Sequence, residues 1–317
     1  MADYKGPLHA AIDLGANSFH LALIAPGPKR LETREVRKSL VRMVAGIIEQ
    51  DGQLLLDVKT KRKVMQTLAR FRDFLQGQEL ASLSVVGTSA FRQLSDPEAF
   101  IFEASQVLRA PIRLISGKQE AAYIYLGASY GLPVKNRLVI DIGGGSTEFA
   151  LGSGQQPESL LSLDIGCISL TRQFFLGTHY RAEQIEEARQ CCRKILAPQL
   201  ATLRALMPQD CEILGASGSI KSIYWALRNL NIAEQSIDAA ALNRLTPLLY
   251  QAESLHHLAQ VIDLTVARSR VFAAGVIILQ EIVHLLSVEQ IAISPAALRE
   301  GLVAEQLLLS QGEQALF

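Results

Sequence analysis

Val139-Ile140-Asp141-Ile142-Gly143-Gly144-Gly145-Ser146-Thr147-Glu148 is an apolar run with one aspartate, followed by three glycines, two hydroxyls and a glutamate. With Leu138 before it and Phe149-Ala150-Leu151 after it, the stretch predicts strand, glycine turn, strand, with Asp141 at the tip. Consecutive glycines let backbone amides turn inward with no Cβ in the way. Amides converging in such a turn form a concave anion site. A carboxylate beside that site would repel an anion unless a metal ion or water stands between them. The stretch therefore reads as a phosphate and Mg²⁺ site. Taken alone, it also fits a tight hairpin with no ligand.

A second copy lies near the start, Ala11-Ile12-Asp13-Leu14-Gly15-Ala16-Asn17-Ser18-Phe19-His20-Leu21-Ala22-Leu23-Ile24. Again an apolar strand with one aspartate runs into glycine, small polar residues and an alternating strand. Two such turns, one domain length apart, imply two related domains facing each other across a cleft, each offering a phosphate loop. The first cradle is Gly15, Ala16, Asn17 and Ser18. The second is Gly143, Gly144, Gly145, Ser146 and Thr147. Asp13 and Asp141 are the expected Mg²⁺ ligands, directly or through water, since Mg²⁺ favours carboxylates and keeps several waters.

The length of 317 residues suits about two domains, and 49% hydrophobic with 20% charged residues suits a sizeable core rather than disorder. Basic and acidic residues balance at 31 each. That argues against a nucleic-acid binder, which carries a basic excess. A polyanion would need a local basic cleft. Cys167, Cys191, Cys192 and Cys211 form no C-x-x-C pair, which fits reduced thiols and a cytoplasmic protein. Met1 to Pro7 contains no apolar signal core. The longest apolar run, Val271 to Leu286, is short for a membrane span and interrupted by Gln280, Glu281 and His284, so it reads as a buried helix and no membrane is expected. The six histidines show no metal-ligand spacing.

Strands are expected at 8–14, 19–25 and 31–38, then at 83–87 and 112–115. Helices are expected at 60–76, from a cap at Ser95, and at 118–130. A second three-strand opening is expected at 137–142, 149–151 and 158–164. A helix over 184–207 carries Pro198 as a kink or break. A strand at 212–214 leads into Gly215-Ala216-Ser217-Gly218-Ser219, a loop opening a helix and hence an anion site through Ser217 and Gly218. Helices at 238–258 and 268–286, a strand at 289–293 and a last helix opened by Pro295 complete the chain. Thr88, Arg92 and Glu120 lie just past strand ends, where ligands gather in an open α/β sheet.

The two turns D-L-G-A-N-S-F-H and D-I-G-G-G-S-T-E resemble the phosphate motifs of the exopolyphosphatase / guanosine pentaphosphate phosphatase family. Gly87-Thr88-Ser89-Ala90-Phe91-Arg92-Gln93, Ile115-Ser116-Gly117-Lys118-Gln119-Glu120-Ala121, Gly215 to Lys221 and Ala297-Leu298-Arg299-Glu300-Gly301 extend the resemblance, in order, over nearly the whole chain. The resemblance implies an α/β fold of two actin-like (ribonuclease H-like) domains. Domain I would span 1–126, completed by the C-terminal helix 296–317, and domain II 127–295. It implies the short form, without a C-terminal His-Asp domain, and a homodimer.

The implied activity is Mg²⁺-dependent exopolyphosphatase action, releasing orthophosphate from inorganic polyphosphate, with 5′-phosphate removal from guanosine pentaphosphate (pppGpp) as the alternative. Glu120 is the implied base, Glu148 a second acid that binds metal or orients water, and Arg92 the cation on the transferring phosphoryl group. Gln119 stands where the family has a glutamate, and Ala16 where many members have serine. Lys221, Arg268 and Arg299 are candidates for a polyanion path or for plain surface charge. A kinase of the same superfold and a non-catalytic polyphosphate or alarmone sensor are the other function classes.

Overall fold

A three-strand meander heads each of the two units into which the chain divides. The computed structural model describes Tyr4 and residues 6–177, 179–314 and 316–317. Most of the stretch read for a signal core, Met1 to Asp3 and Lys5, lies outside the described residues. One compact unit is Met1–Pro133 with Ala296–Phe317, the other Val134–Pro295.

The first unit opens with β1 (Leu8–Leu14), β2 (Ser18–Pro26) and β3 (Leu31–Leu40). β4 (Ile47–Gln50) and β5 (Gln53–Leu56) then form a separate hairpin that the expectations above omit. Its turn, Asp51-Gly52, has positive φ at both residues, the conformation that Asp-Gly dipeptides favour in two-residue hairpins. Helix α1 (Val58–Leu75) buries Val64, Leu68, Phe71 and Leu75 on one face. β6 (Leu80–Gly87), the short α2 (Ser89–Arg92), α3 (Pro97–Leu108), β7 (Arg113–Leu114) and α4 (Gly117–Ser129) follow. Asp96, not Ser95, caps α3 by accepting from Ala99 N, while Ser95 Oγ accepts from Leu54 N at 2.8 Å. α4 runs unbroken through residues 126 and 127, so the unit boundary falls after it, at 133/134 rather than 126/127.

The second unit repeats the plan with β8 (Asn136–Ile142), β9 (Thr147–Ser153) and β10 (Gln156–Leu163). Then come α5 (Cys167–Phe174), α6 (Ala182–Leu206), β11 (Glu212–Gly215) and α7 (Gly218–Asn229). α6 continues through Pro198, whose side is solvent-exposed, so the expected break is absent. After β12 (Ser236–Ile237), the single helix expected over 238–258 is three: α8 (Ala239–Asn243), α9 (Thr246–Gln251) and α10 (Leu255–Val261). Pro247 in the first turn of α9 and the Ser254 cap on His257 N restart the chain each time. α11 (Val266–Leu286) is long and apolar enough to cross a membrane, but it is the central core helix of this unit, with Phe272 to Val283 buried throughout. β13 (Ile291–Ile293) ends the unit, and α12 (Leu298–Ser310) belongs to the first. α12 starts three residues later than Pro295 because Glu300 Oε2 accepts from Ala297 N and sets the cap there.

The sheets are built alike. One runs β3-β2-β1-β6-β7, the other β10-β9-β8-β11-β13-β12. In each, the meander is antiparallel and the next two strands are parallel to its first strand. Parallel strands need crossover helices, and these leave strand ends and helix N-termini on the same side of each unit. Both glycine turns lie at that side.

Candidate active site

The β1–β2 turn is held open by its own carbonyls. Ala16 O accepts from Val44 N at 3.2 Å, and Asn17 O from Val41 N at 3.0 Å and Arg42 N at 2.7 Å. With the carbonyls drawn back, the amides of Ala16 and Asn17 take no partner among the described residues. The Ala16 methyl is buried in the core, so alanine in place of a hydroxyl residue leaves the amides unchanged.

The β8–β9 turn uses the same device. Gly143 N donates to Ser146 O at 2.9 Å and closes it. Gly143 O accepts from Cys167 N, and Gly144 O from Ile168 N and Ser169 N, at 2.8–3.1 Å. The first turn of α5 therefore caps the back of the loop, and the amides of Gly144 and Gly145 take no partner among the described residues. Gly166 makes this contact possible: a Cβ there would lie 2.5 Å from the Gly144 carbonyl. Thr147 is fully buried and donates to Ile165 O at 2.6 Å, so its hydroxyl braces the loop instead of pointing at a ligand. Amides presented this way make a concave anion site.

Strand register places the carboxylates. Asp141 stands directly opposite Glu148, and Glu148 opposite Ser162, whose Oγ donates to Glu148 Oε1 at 2.9 Å. Glu148 is buried. In the first unit the matching row is Asp13, His20 and Lys38. Like charges directly opposite each other in a sheet repel. The Asp141–Glu148 pair therefore suits a cation, and its oxygens are the donors Mg²⁺ takes. Among the described residues no three His, Cys, Asp or Glu gather into a metal cluster. A metal here would complete its shell with water and phosphate oxygens, the usual habit of Mg²⁺.

Asp13 keeps part of its surface exposed, yet burial of its carboxyl pushes the pKa up to about 6 against the pull of Arg299, with Glu300 pushing the same way as burial. Arg299 Nη1 is buried without a partner among the described residues.

Glu120 lies in the first turn of α4, where the helix dipole favours a carboxylate. Ser116 Oγ accepts from Gln119 N, and Gln119 Oε1 accepts from Ser116 N, a capping box. Glutamine serves that box as well as glutamate. The departure at 119 therefore falls on a structural position. Arg92 Nη1 donates to Ile115 O at 2.7 Å and to Glu120 Oε2 at 3.3 Å. The implied base and the implied cation are thus an ion pair, both side chains mostly buried.

In the second unit Ser217 caps α7 by accepting from Ile220 N at 3.0 Å. The Arg268 guanidinium lies against Gly218, 3.1 Å from where a Cβ would sit. Ser219 Oγ donates to Cys167 Sγ at 3.4 Å. Cys167 thereby joins the two anion loops of this unit, through its amide to one and its sulfur to the other. Burial raises its thiol pKa, which suits packing and not nucleophilic chemistry. Lys221 Nζ donates to Pro295 O, which ties it to the β13 end. The basic face of β3 is paired on the surface, Arg34 with Glu32 and Arg37 with Glu35. Gly166, Cys167 and Ser162 are the contributors that motif reading passed over, and Arg268, a candidate for the polyanion path, lies against Gly218. The tripeptide Asp-Ile-Gly occurs at 141–143 and again at 164–166, a signal that pointed to the second glycine.

The chain is 33% identical over 306 residues to the guanosine-5′-triphosphate,3′-diphosphate pyrophosphatase of Vibrio parahaemolyticus, covering 96% of this chain and 60% of that protein. It is 34% identical over 308 residues to the protein of the same name from Vibrio cholerae, with the same coverage. The chain thus spans about three-fifths of the length of these curated relatives. Among solved structures it superposes on the Aquifex aeolicus Ppx/GppA family member (TM-score 0.79, 21% identity, 96% of this chain and 99% of that one). It also superposes on an exopolyphosphatase from Cytophaga hutchinsonii (TM-score 0.79, 22% identity, 97% and 99%). The α/β fold of actin-like units that the family resemblance implies is the fold the chain adopts. Residues 29–310 match the Ppx/GppA phosphatase family, and the chain belongs to that family.

Proposed function

We propose that this chain hydrolyses the terminal 5′-phosphoanhydride of guanosine pentaphosphate, releasing orthophosphate. The observation that carries the choice of substrate is the name shared by relatives at 33–34% identity over 96% of the chain. Polyphosphate is the second reading, favoured by the exopolyphosphatase among its structural neighbours. Both substrates end in the same anhydride, so one set of residues serves either.

Phosphoryl transfer has a loose transition state, so positioning and charge neutralisation do most of the work. In the first unit the free amides of Ala16 and Asn17, beside Gly15 and Ser18, bind phosphate oxygens. In the second, Gly144 and Gly145 do so between Gly143 and Ser146, and Ser217 and Gly218 present the α7 N-terminus with Arg268 alongside. Arg92 neutralises the transferring group. Glu120 accepts a proton from the attacking water, which must lie within hydrogen-bond reach. Its hydrogen bond from Arg92 fixes where the carboxylate points. Asp141 and Glu148 would hold Mg²⁺, which would supply positive charge to the phosphate oxygens. Thr147 braces its loop.

The test is a direct competition: kcat/KM for guanosine pentaphosphate and for long-chain polyphosphate, both with Mg²⁺, by orthophosphate release. A higher value for the nucleotide supports the reading. A higher value for polyphosphate reverses the order of the two substrates. Binding of both without release would leave a sensor.

A further inference from the structure

The chain has one tryptophan, Trp225, and half of its surface is exposed. It is not loosely placed. Arg228 lies over the Trp225 ring at 5.6 Å from the centroid and over Tyr224 at 5.9 Å. The two rings are 5.7 Å apart, and Tyr224 Oη donates to Glu234 O at 2.9 Å. An indole restrained by its neighbours yet open to solvent is a pre-organised stacking surface, since little side-chain freedom is left to lose on binding.

Its place on α7 gives the surface a direction. Gly218, Lys221, Ser222 and Trp225 follow helical spacing along the solvent-facing stripe of α7. At 1.5 Å per residue, Trp225 lies about 10 Å along the axis from Gly218. At the Gly218 end, Arg268 and the helix N-terminus offer positive charge. Anion-binding groups at one end and a flat aromatic at the other match an extended nucleoside diphosphate, phosphates at the loop and base on the ring. Bases stack on aromatic rings and on guanidinium planes, and both are present.

We propose that Trp225, backed by Arg228, is the nucleobase-binding surface of this chain and takes the guanine of the guanosine nucleotide. The inference rests on the nucleotide reading above and adds the residue that would separate a nucleotide from inorganic polyphosphate. Inorganic polyphosphate has no base to stack, so the surface discriminates between the two substrates without touching the reacting phosphate.

The experiment reads binding of the reaction product, not turnover. Guanosine 5′-diphosphate 3′-diphosphate and inorganic tripolyphosphate are titrated separately into the protein with Mg²⁺, following emission from the single tryptophan and heat of binding. The nucleotide should change the emission saturably, and tripolyphosphate should not. Trp225→Leu should weaken nucleotide binding about tenfold or more, shrinking its preference over tripolyphosphate by the same factor, while Trp225→Phe should keep most of it. Unchanged emission on nucleotide binding, or nucleotide affinity retained in Trp225→Leu, would overturn the proposal. So would an emission change produced by raising protein concentration alone, which would assign the surface to a second copy of the chain. Hydrolysis of guanosine pentaphosphate with a silent Trp225 would overturn this inference and leave the substrate reading standing. Hydrolysis of polyphosphate alone, with no nucleotide binding, would remove both.

Discussion

Asp13 and Asp141 hold equivalent places in two related meanders, and their cross-strand neighbours differ. Asp141 faces Glu148, whereas Asp13 faces His20, with Lys38 next in the row. One row sets two carboxylates against each other, and the other sets a carboxylate against an imidazole with a lysine beyond it. Asp13 makes a prediction about pH. Its carboxyl titrates near 6 in the fold against 3.8 unperturbed, so between those values the folded chain keeps a proton that the unfolded chain has lost. Stability of the metal-free protein should therefore fall as pH rises through that window and stay lowered above it. Asp13→Asn should flatten this slope and be the more stable by about 1–3 kcal/mol above pH ~7. Urea melts on either side of the window check it, and a wild-type stability that rises with pH there would contradict it. Gln119 makes a second prediction. Because it caps α4 through its side-chain oxygen, Gln119→Glu should change stability by less than about 0.5 kcal/mol, and Gln119→Ala should cost about 1 kcal/mol. Thermal melts of the two variants separate capping from a metal role, since a metal role would make the Mg²⁺-induced shift in Tm larger in the glutamate variant than in the wild type.

At the scale of elements, the phosphate turns were legible because everything they need is local: an apolar strand, an aspartate, glycines, a second strand. Strand alternation and glycine punctuation placed β1, β2, β8 and β9 within a residue or two of their bounds. What holds the turns open was not legible, because it comes from far along the chain. Val41 to Val44 tie back one loop, and Cys167 to Ser169 the other. Gly166→Ala should show this most sharply. Its Cβ would strike the Gly144 carbonyl carbon and Gly145 N, so the loop must shift, and loss of more than about tenfold in phosphate affinity is expected, with a stability loss of roughly 1–3 kcal/mol. Calorimetric titration with inorganic tripolyphosphate measures the first, and unchanged affinity would mean that α5 does not set the loop. The α4–α12 crossing is another long-range feature. Gly127 and Gly301 meet the backbones of Ala297 and Tyr123 with no room for a side chain, and Tyr123 Oη donates to Glu305 Oε2 at 2.9 Å beside them. That contact fixes the helix that carries Glu120. The 238–258 segment was misread for the opposite reason: its apolar spacing is helical throughout, and the breaks come from Pro247 and the Ser254 cap.

The two units repeat one plan, an antiparallel meander followed by strands parallel to its first strand. The first unit carries the Arg92–Glu120 pair and a turn whose Ala16 and Asn17 amides take no partner among the described residues. The second carries the Asp141–Glu148 pair and two glycine loops joined at Cys167. Magnesium removal tests this division. A chelator should abolish turnover while leaving the fold intact, since among the described residues no cluster of three ligands depends on a metal for its structure. A chelator that unfolds the protein would contradict it. In the proposed reaction Glu120 activates the water that attacks the terminal phosphoanhydride. Single-turnover orthophosphate release from guanosine pentaphosphate by wild type and Glu120→Gln, at matched occupancy, tests that role. The variant should bind the nucleotide with an affinity within a few-fold of wild type and release phosphate about 10²–10⁴-fold more slowly. Release at the wild-type rate by Glu120→Gln would contradict it.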